Sequence, residues 1–243
     1  MIRTTQSWTI FLLSLITFAL LLTSNMASAS VTMLGNRVIY PAESKEKTLQ
    51  FNNDDDTPAL VQLWLDNNDK ESSPETANAP FLASPQIFRM NPHSGQMVRL
   101  VFTGNALAAD RESIFYLNFL QVPAVKQSDN NKNKLMLVVT NRLKVLYRPE
   151  GLAGDANHLI EQMTIKREGK TLLVNNPTPY FANVSHAAIV TGSKRINIPK
   201  ADMIPPFSQA NWQINSGFSA GALKISLGVI NDYGVEVSRV LTL

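Results

Sequence analysis

The chain has few groups that could do chemistry, and most of them stand apart. Its three histidines are His93 in the turn "NPHSGQ", His158 and His186. No two of them have metal-ligand spacing. None falls beside a recognisable nucleophile motif, and G-x-S-x-G, a P-loop and H-E-x-x-H are all missing. The acidic run "NNDDDTP", Asn52 to Pro58, offers oxygen ligands but lacks the glycine and distal glutamate of a calcium loop. It reads as a turn. These features point away from catalysis and towards a protein that needs no metal or cofactor.

One cation is different. In "KLMLVVTNRLKVLYRP", Lys134 to Pro149, Lys144 lies between Leu143 and Val145. A charge within an apolar strand is unfavourable unless an opposite charge pairs with it or its stem snorkels to water. Just before it, Leu135, Leu137 and Val139 alternate on one face, and Met136, Val138 and Thr140 on the other. The strand is apolar on both faces. One row must fill the chain's own core. The other is covered by loops or a second domain, or it is offered to another chain's strand by β-augmentation.

The elements that would position these groups follow from the pattern. Residues 1–29 read as a secretory signal peptide: a positive Arg3, an apolar run Trp8 to Leu22, and the small-residue cleavage site Ala27-Ser28-Ala29. Taking 29 residues from 243 leaves about 214, enough for one large or two ordinary domains. No second long apolar run follows, so the exported product is expected to keep no membrane insertion after cleavage. There are no cysteines, so each domain must rest on an ordinary apolar core. The net charge of +3 is weak and dispersed, which excludes a nucleic-acid partner.

Beyond the signal, short alternating segments recur: "RVIYPAE", "KTLQFNN", "ALVQLWLDNN", "QIFRM", "QMVRLVF" and "SIFYLNFLQV". Asn, Asp and Pro turns separate them, as in an antiparallel sandwich. "NDKESSPETANAP" reads as a solvated polar loop. "YRPEGLAGDAN" breaks the pattern with Pro149, Gly151 and Gly154, and marks a boundary between domains at 30–149 and 150–243. Strands then resume with "LIEQMTIKREGKTLLVNN", "FANVSHAAIV", "NWQIN", "ALKISLGVIND" and "VEVSRVLTL". The fold class is all-β, in two sandwiches.

Specific segments then match a family. "LAADRESIFYLNFLQVPA", Leu107 to Ala124, resembles the signature of the periplasmic chaperones of the chaperone–usher pilus pathway, although Phe119 stands where a smaller aliphatic is usual. "GNRVIYP", "RLKVLYRP", "NNPTPYF", "MIPPFSQANW" and "VINDYG" resemble further family segments in the same order. The resemblance implies two immunoglobulin-like domains in a boomerang, a periplasmic location and no enzymatic activity. It implies pilus (fimbrial) subunits as cargo and an outer-membrane usher as receiver. It looks like the short-loop subclass, which generally serves rod-like, adhesive pili.

The resemblance also carries roles onto particular residues. Arg37 and Lys144 match the pair that anchors a subunit's terminal carboxylate, where charge-assisted bonds are strong. Leu135, Leu137 and Val139 match the donor-strand row that fills the subunit's open groove. Each such side chain contributes roughly 1.5–3 kcal/mol on burial. Met136 and Val138 would remain in the chaperone's own core. Glu112, Arg148 and Asp232 match a charge network between the domains, in which one guanidinium fork serves two carboxylates. The competing readings are a surface subunit or adhesin, and a secreted β-sandwich that binds carbohydrate.

Overall fold

The computed structural model describes residues 31–124, 138–191, 194–199, 201–214 and 224–243. Residues 1–29, expected to be a signal peptide, and Leu135, Met136 and Leu137 lie outside these. The first sandwich is built from β1 (Val31–Met33), β2 (Arg37–Pro41), β3 (Lys47–Asn53), β4 (Ala59–Asp66), β5 (Phe81–Ser84), β6 (Ile87–Met90), β7 (Ser94–Phe102), β8 (Ser113–Pro123) and β9 (Val139–Arg148). One sheet runs β1-β3-β7-β5 and the facing sheet β2-β9-β8-β4-β6. The alternation seen in the sequence puts Val61, Leu63 and Leu65 of β4, Phe115, Leu117 and Phe119 of β8, and Leu49 and Phe51 of β3 into one core. Phe119, the departure from the family pattern, packs edge-to-face on Phe51 with ring centroids 5.3 Å apart, an arrangement favoured by the ring quadrupoles.

The chain switches sheets near its start. β1 pairs with β3, and Gly35 at φ +89° then turns the chain so that β2 joins β9 in the facing sheet. That backbone angle suits a residue without Cβ. β2 runs parallel to β9, and their pairing covers only Lys144 to Arg148.

The second sandwich follows a 3-10 turn, Ala156–His158, and a single α-helical turn, α1 (Leu159–Gln162). Its strands are β10 (Thr164–Glu168), β11 (Thr171–Asn176), β12 (Val184–Thr191), β13 (Lys194–Asn197), β14 (Ser208–Gln213), β15 (Lys224–Ile230) and β16 (Glu236–Thr242). They form the sheets β10-β11-β14 and β13-β12-β15-β16 around a separate core that includes Leu172, Val174, Trp212, Ile225 and Leu227. The sequence pattern assigns "LIEQMTIKREG" to strand throughout, and its first residues are instead helical. Leu159 and Ile160 are both buried from this one turn, which is too short to show a 3.6-residue period. β5 and β13 also fall in stretches that the alternation leaves as connections.

Candidate functional site

The strand that carries Lys144 is also the strand whose pairing is incomplete. β8 flanks β9 along one side from Val139 to Tyr147. On its other side β2 begins only opposite Lys144, because the chain has crossed from the other sheet. Val139 to Leu143 therefore present backbone N–H and C=O groups with no strand neighbour on that side among the described residues. Five residues of edge span roughly 17 Å at about 3.4 Å per residue.

The two matched cations stand at the end of this edge. Arg37 opens β2 directly opposite Lys144 in the parallel ladder. Arg37 Nε donates to Asn36 Oδ1 at 2.9 Å and Nη1 to the Ile230 carbonyl at 3.1 Å, which leaves other guanidinium donors for a partner. Burial lowers the pKa of Arg37, against the attraction of Asp232. Burial also lowers that of Lys144; the Arg37 charge adds to this and Asp202 opposes it. Two half-buried like charges on adjacent strands, about 4.8 Å apart, repel each other. An anion bridging them would remove that repulsion and gain two charge-assisted hydrogen bonds.

Val139, the one donor-row residue described, is 48% exposed at the start of β9. Val138 is exposed to the same extent. Its expected place in the chain's own core is not what the structure has: the ladder with β8 begins only at Val139.

Glu112, Arg148 and Asp232 come together at the junction of the sandwiches. Arg148 Nε donates to Glu112 Oε1 at 2.8 Å, while Nη1 and Nη2 grip the Asp232 carboxylate at 2.7 and 2.8 Å. Local chemistry presents each partner. In "NNPTPYF", buried Asn176 donates to the carbonyls of Tyr180, Ile204 and Pro205 and accepts from Thr178. That folds the turn so that Phe181 N–H donates to Glu112 Oε2 at 2.8 Å and the Pro179 carbonyl accepts from Glu112 N–H at 2.9 Å. In "VINDYG", Asn231 Oδ1 accepts from the N–H groups of Tyr233 and Val235, which orders the loop that holds Asp232. Burial raises the pKa of Glu112, against the pull of Arg148 and the Phe181 N–H. Arg148 is held above the usual arginine range: burial opposes this, but bonds to Asp232 and the charges of both carboxylates prevail.

Sequence reasoning missed a second buried cluster. The Asp66 side chain is 0% exposed at the end of β4. Both arms of Arg142 on β9 reach it, Nη1 to Oδ2 and Nη2 to Oδ1 at 2.7 Å. Asn118 Nδ2 donates to it at 2.6 Å, Ser72 Oγ at 2.9 Å and Asp69 N–H at 2.9 Å. The loop after β4, expected to be merely solvated, thus supplies two of its donors. Burial acts to raise the Asp66 pKa, but the bonds from Arg142, Asn118 and Ser72 outweigh it and the net shift is downward.

The histidines also have carboxylate partners that spacing did not reveal. His93 meets Asp56 at 2.9 Å, His158 meets Glu161 at 3.0 Å, and His186 meets Glu236 at 3.1 Å. His186 Nε2 is also 3.4 Å from Ser226 Oγ. That order resembles a hydrolytic triad, but Ser226 is 7% exposed inside the sheet. Ser185 Oγ donates to the same Glu236 carboxylate at 2.7 Å. The group ties the bulge in β12 to β15 and β16, in space left by Gly228, where a Cβ would meet His186 at 2.4 Å. Asn53, in the acidic run, donates to the carbonyls of Thr57 and Asn91, as a turn residue does. Among the described residues no His, Asp or Glu cluster is arranged to hold a metal ion.

Two β-sandwiches, a charged junction between them and a strand whose edge is open among the described residues set the class of fold: a two-domain all-β protein with immunoglobulin-like sandwiches. Residues 30–153 match the model of the pili and flagellar-assembly chaperone PapD N-terminal domain, and residues 158–240 match that of the pili assembly chaperone PapD C-terminal domain. The chain is 37% identical over 216 residues to the chaperone protein MrkB of Klebsiella pneumoniae, covering 88% of this chain and 91% of MrkB. It is 34% identical over 219 residues to the probable fimbrial chaperone YadV of Escherichia coli K12, covering 87% and 89%. A crystal structure of the YadV chaperone superposes with a TM-score of 0.75 at 32% identity, over 88% of this chain and all of that one. The SafB chaperone of Salmonella enterica, solved in complex with the SafA pilin, matches with a TM-score of 0.73 at 28% identity, over 88% of this chain and 96% of that chain. The chain belongs to the PapD family of periplasmic pilus-assembly chaperones of the chaperone–usher pathway, which are not enzymes. This replaces the adhesin and carbohydrate-binding readings.

Proposed function

We propose that this chaperone captures pilus subunits by lending them β9 as a missing strand, holds the subunit's terminal carboxylate on Arg37 and Lys144, and passes the complex to an outer-membrane usher. The observation that carries this is the open edge from Val139 to Leu143, which ends at the opposed pair Arg37 and Lys144. A partner strand laid along that edge would continue the ladder where β2 stops, and its terminus would arrive at the two cations. Val139 would enter the partner's core; Leu135 and Leu137, the other members of the expected donor row, lie outside the described residues. SafB, a structural relative, is bound to a pilin. Glu112, Arg148 and Asp232 would set the angle between the domains, and so the space beside the two cations.

The test is recovery of subunits with a tagged copy from periplasmic extracts. Lys144→Ala should leave a folded protein of unchanged melting temperature that recovers no subunit. Normal recovery by this variant would remove the anchor from the account.

A further inference from the structure

β9 changes its support part-way along. From Lys144 to Arg148 it lies between β2 and β8, and from Val139 to Leu143 β8 is its one strand neighbour among the described residues. A strand with one neighbour frays more readily than one with two. A template that fluctuates out of register would present the wrong face, since a shift of one residue exchanges the two rows of side chains. Something other than the ladder should hold this segment, and Arg142 is placed to do so. It lies within the open-edged part, and its guanidinium stacks 4.1 Å above the ring of Tyr116 on β8. It then crosses β8 to the carboxylate of Asp66 on β4. Asp66 is braced in turn by Asn118, Ser72 and the Asp69 N–H, and Ser72 also accepts from Trp64 Nε1 at 3.1 Å. One fully buried anion thus links three strands and the loop after β4.

We propose that Asp66 is a positioning residue that acts through Arg142: it pins the open-edged half of β9 to the sheet and so fixes the register in which a partner strand is received. The pin also sorts charge. Arg142 and Lys144 are two residues apart and share a face of β9. With both arms of Arg142 committed to Asp66, the cations left for a partner's carboxylate are Lys144 and Arg37. The reading rests on the strand-lending function above.

The experiment compares the full exported chain with Asp66→Asn, Arg142→Gln and the double variant, whose Asn and Gln can hydrogen-bond without charge. In the free proteins, amide exchange at 139–143 should quicken about tenfold or more in each single variant, while 145–148 and the second domain stay protected. The double variant should regain most of the protection. The complex with the subunit retained by the wild-type chain should dissociate faster in the single variants, in the same order as the exchange. Uniform loosening of the whole first domain, or unchanged exchange at 139–143, would overturn the pin. A wild-type chain that retains no subunit would instead remove the strand-lending function and leave the exchange result to stand alone.

Discussion

Replacing Arg148 with alanine isolates the charge network at the domain junction. The variant strands Glu112, whose side chain is 1% exposed and would keep only the Phe181 N–H as a donor. Removing one partner from a buried pair costs about 3–5 kcal/mol, because a charge is left without compensation. Asp232, exposed to 20%, can turn to water and adds less. With a urea slope of about 2 kcal/mol per molar, the unfolding midpoint should fall by roughly 1.5–2.5 M. Trp64 is buried on β4 of the first sandwich, against the Ser72 loop, and Trp212 lies in the second core, so fluorescence follows both domains. Adding Glu112→Gln removes the stranded charge, and the double variant should recover a large part of the loss. The folded-state pKa of Glu112 lies above its unfolded value of 4.5. Its ionised form therefore weighs against folding at neutral pH, and the deficit of Arg148→Ala should shrink as pH falls through the folded pKa towards that value. A midpoint shift below about 0.5 M, or a double variant as unstable as the sum of its parts, would mean that Glu112 is not left as an uncompensated buried charge.

Two further outcomes bear on the open edge. Burial and Arg37 hold the pKa of Lys144 below the ordinary lysine value of 10.5, and a carboxylate partner needs the protonated form. Subunit affinity should be full below that lowered pKa and decline as pH rises through it, and Lys144→Arg should carry the decline to higher pH; titration calorimetry across pH 7 to 10 reads both. Val139→Asp alters an exposed side chain and should leave the melting temperature almost unchanged, within about 0.5 kcal/mol, yet abolish subunit recovery, because a carboxylate would be carried into the partner's core.

Legibility in the sequence followed the range of each signal. The strands of both sandwiches were readable because alternation is local, as in "ALVQLWLD", where Val61, Leu63 and Leu65 all reach the core. Lys144 stands out as a cation inside an apolar strand, but its position alone fits a stem that snorkels to water, and only the family resemblance gives it a partner. The alignment of Arg37 against Lys144 is a matter of register between strands 107 positions apart, and only the family resemblance named the two together. Asp66 was invisible for a related reason. In "LDNNDK" it reads as a turn aspartate, and its partner lies 76 residues away. Glu236 is likewise 50 residues from His186. The single turn Leu159–Gln162 hid in the β pattern because four residues cannot establish a helical period. The open edge itself is a topological fact, produced by the crossing of the chain at Gly35. It has no signature in β9 beyond a second apolar face.

In the proposed complex a subunit's last strand lies along Val139 to Leu143 with its terminal carboxylate on Lys144. Zero-length carbodiimide coupling of the purified chaperone–subunit complex, read by mass spectrometry, tests it directly. The expected result is an amide bond between Lys144 Nζ and the subunit's terminal carboxylate, together with new exchange protection at 139–143. A complex that forms without that bond and leaves 139–143 unprotected would contradict it.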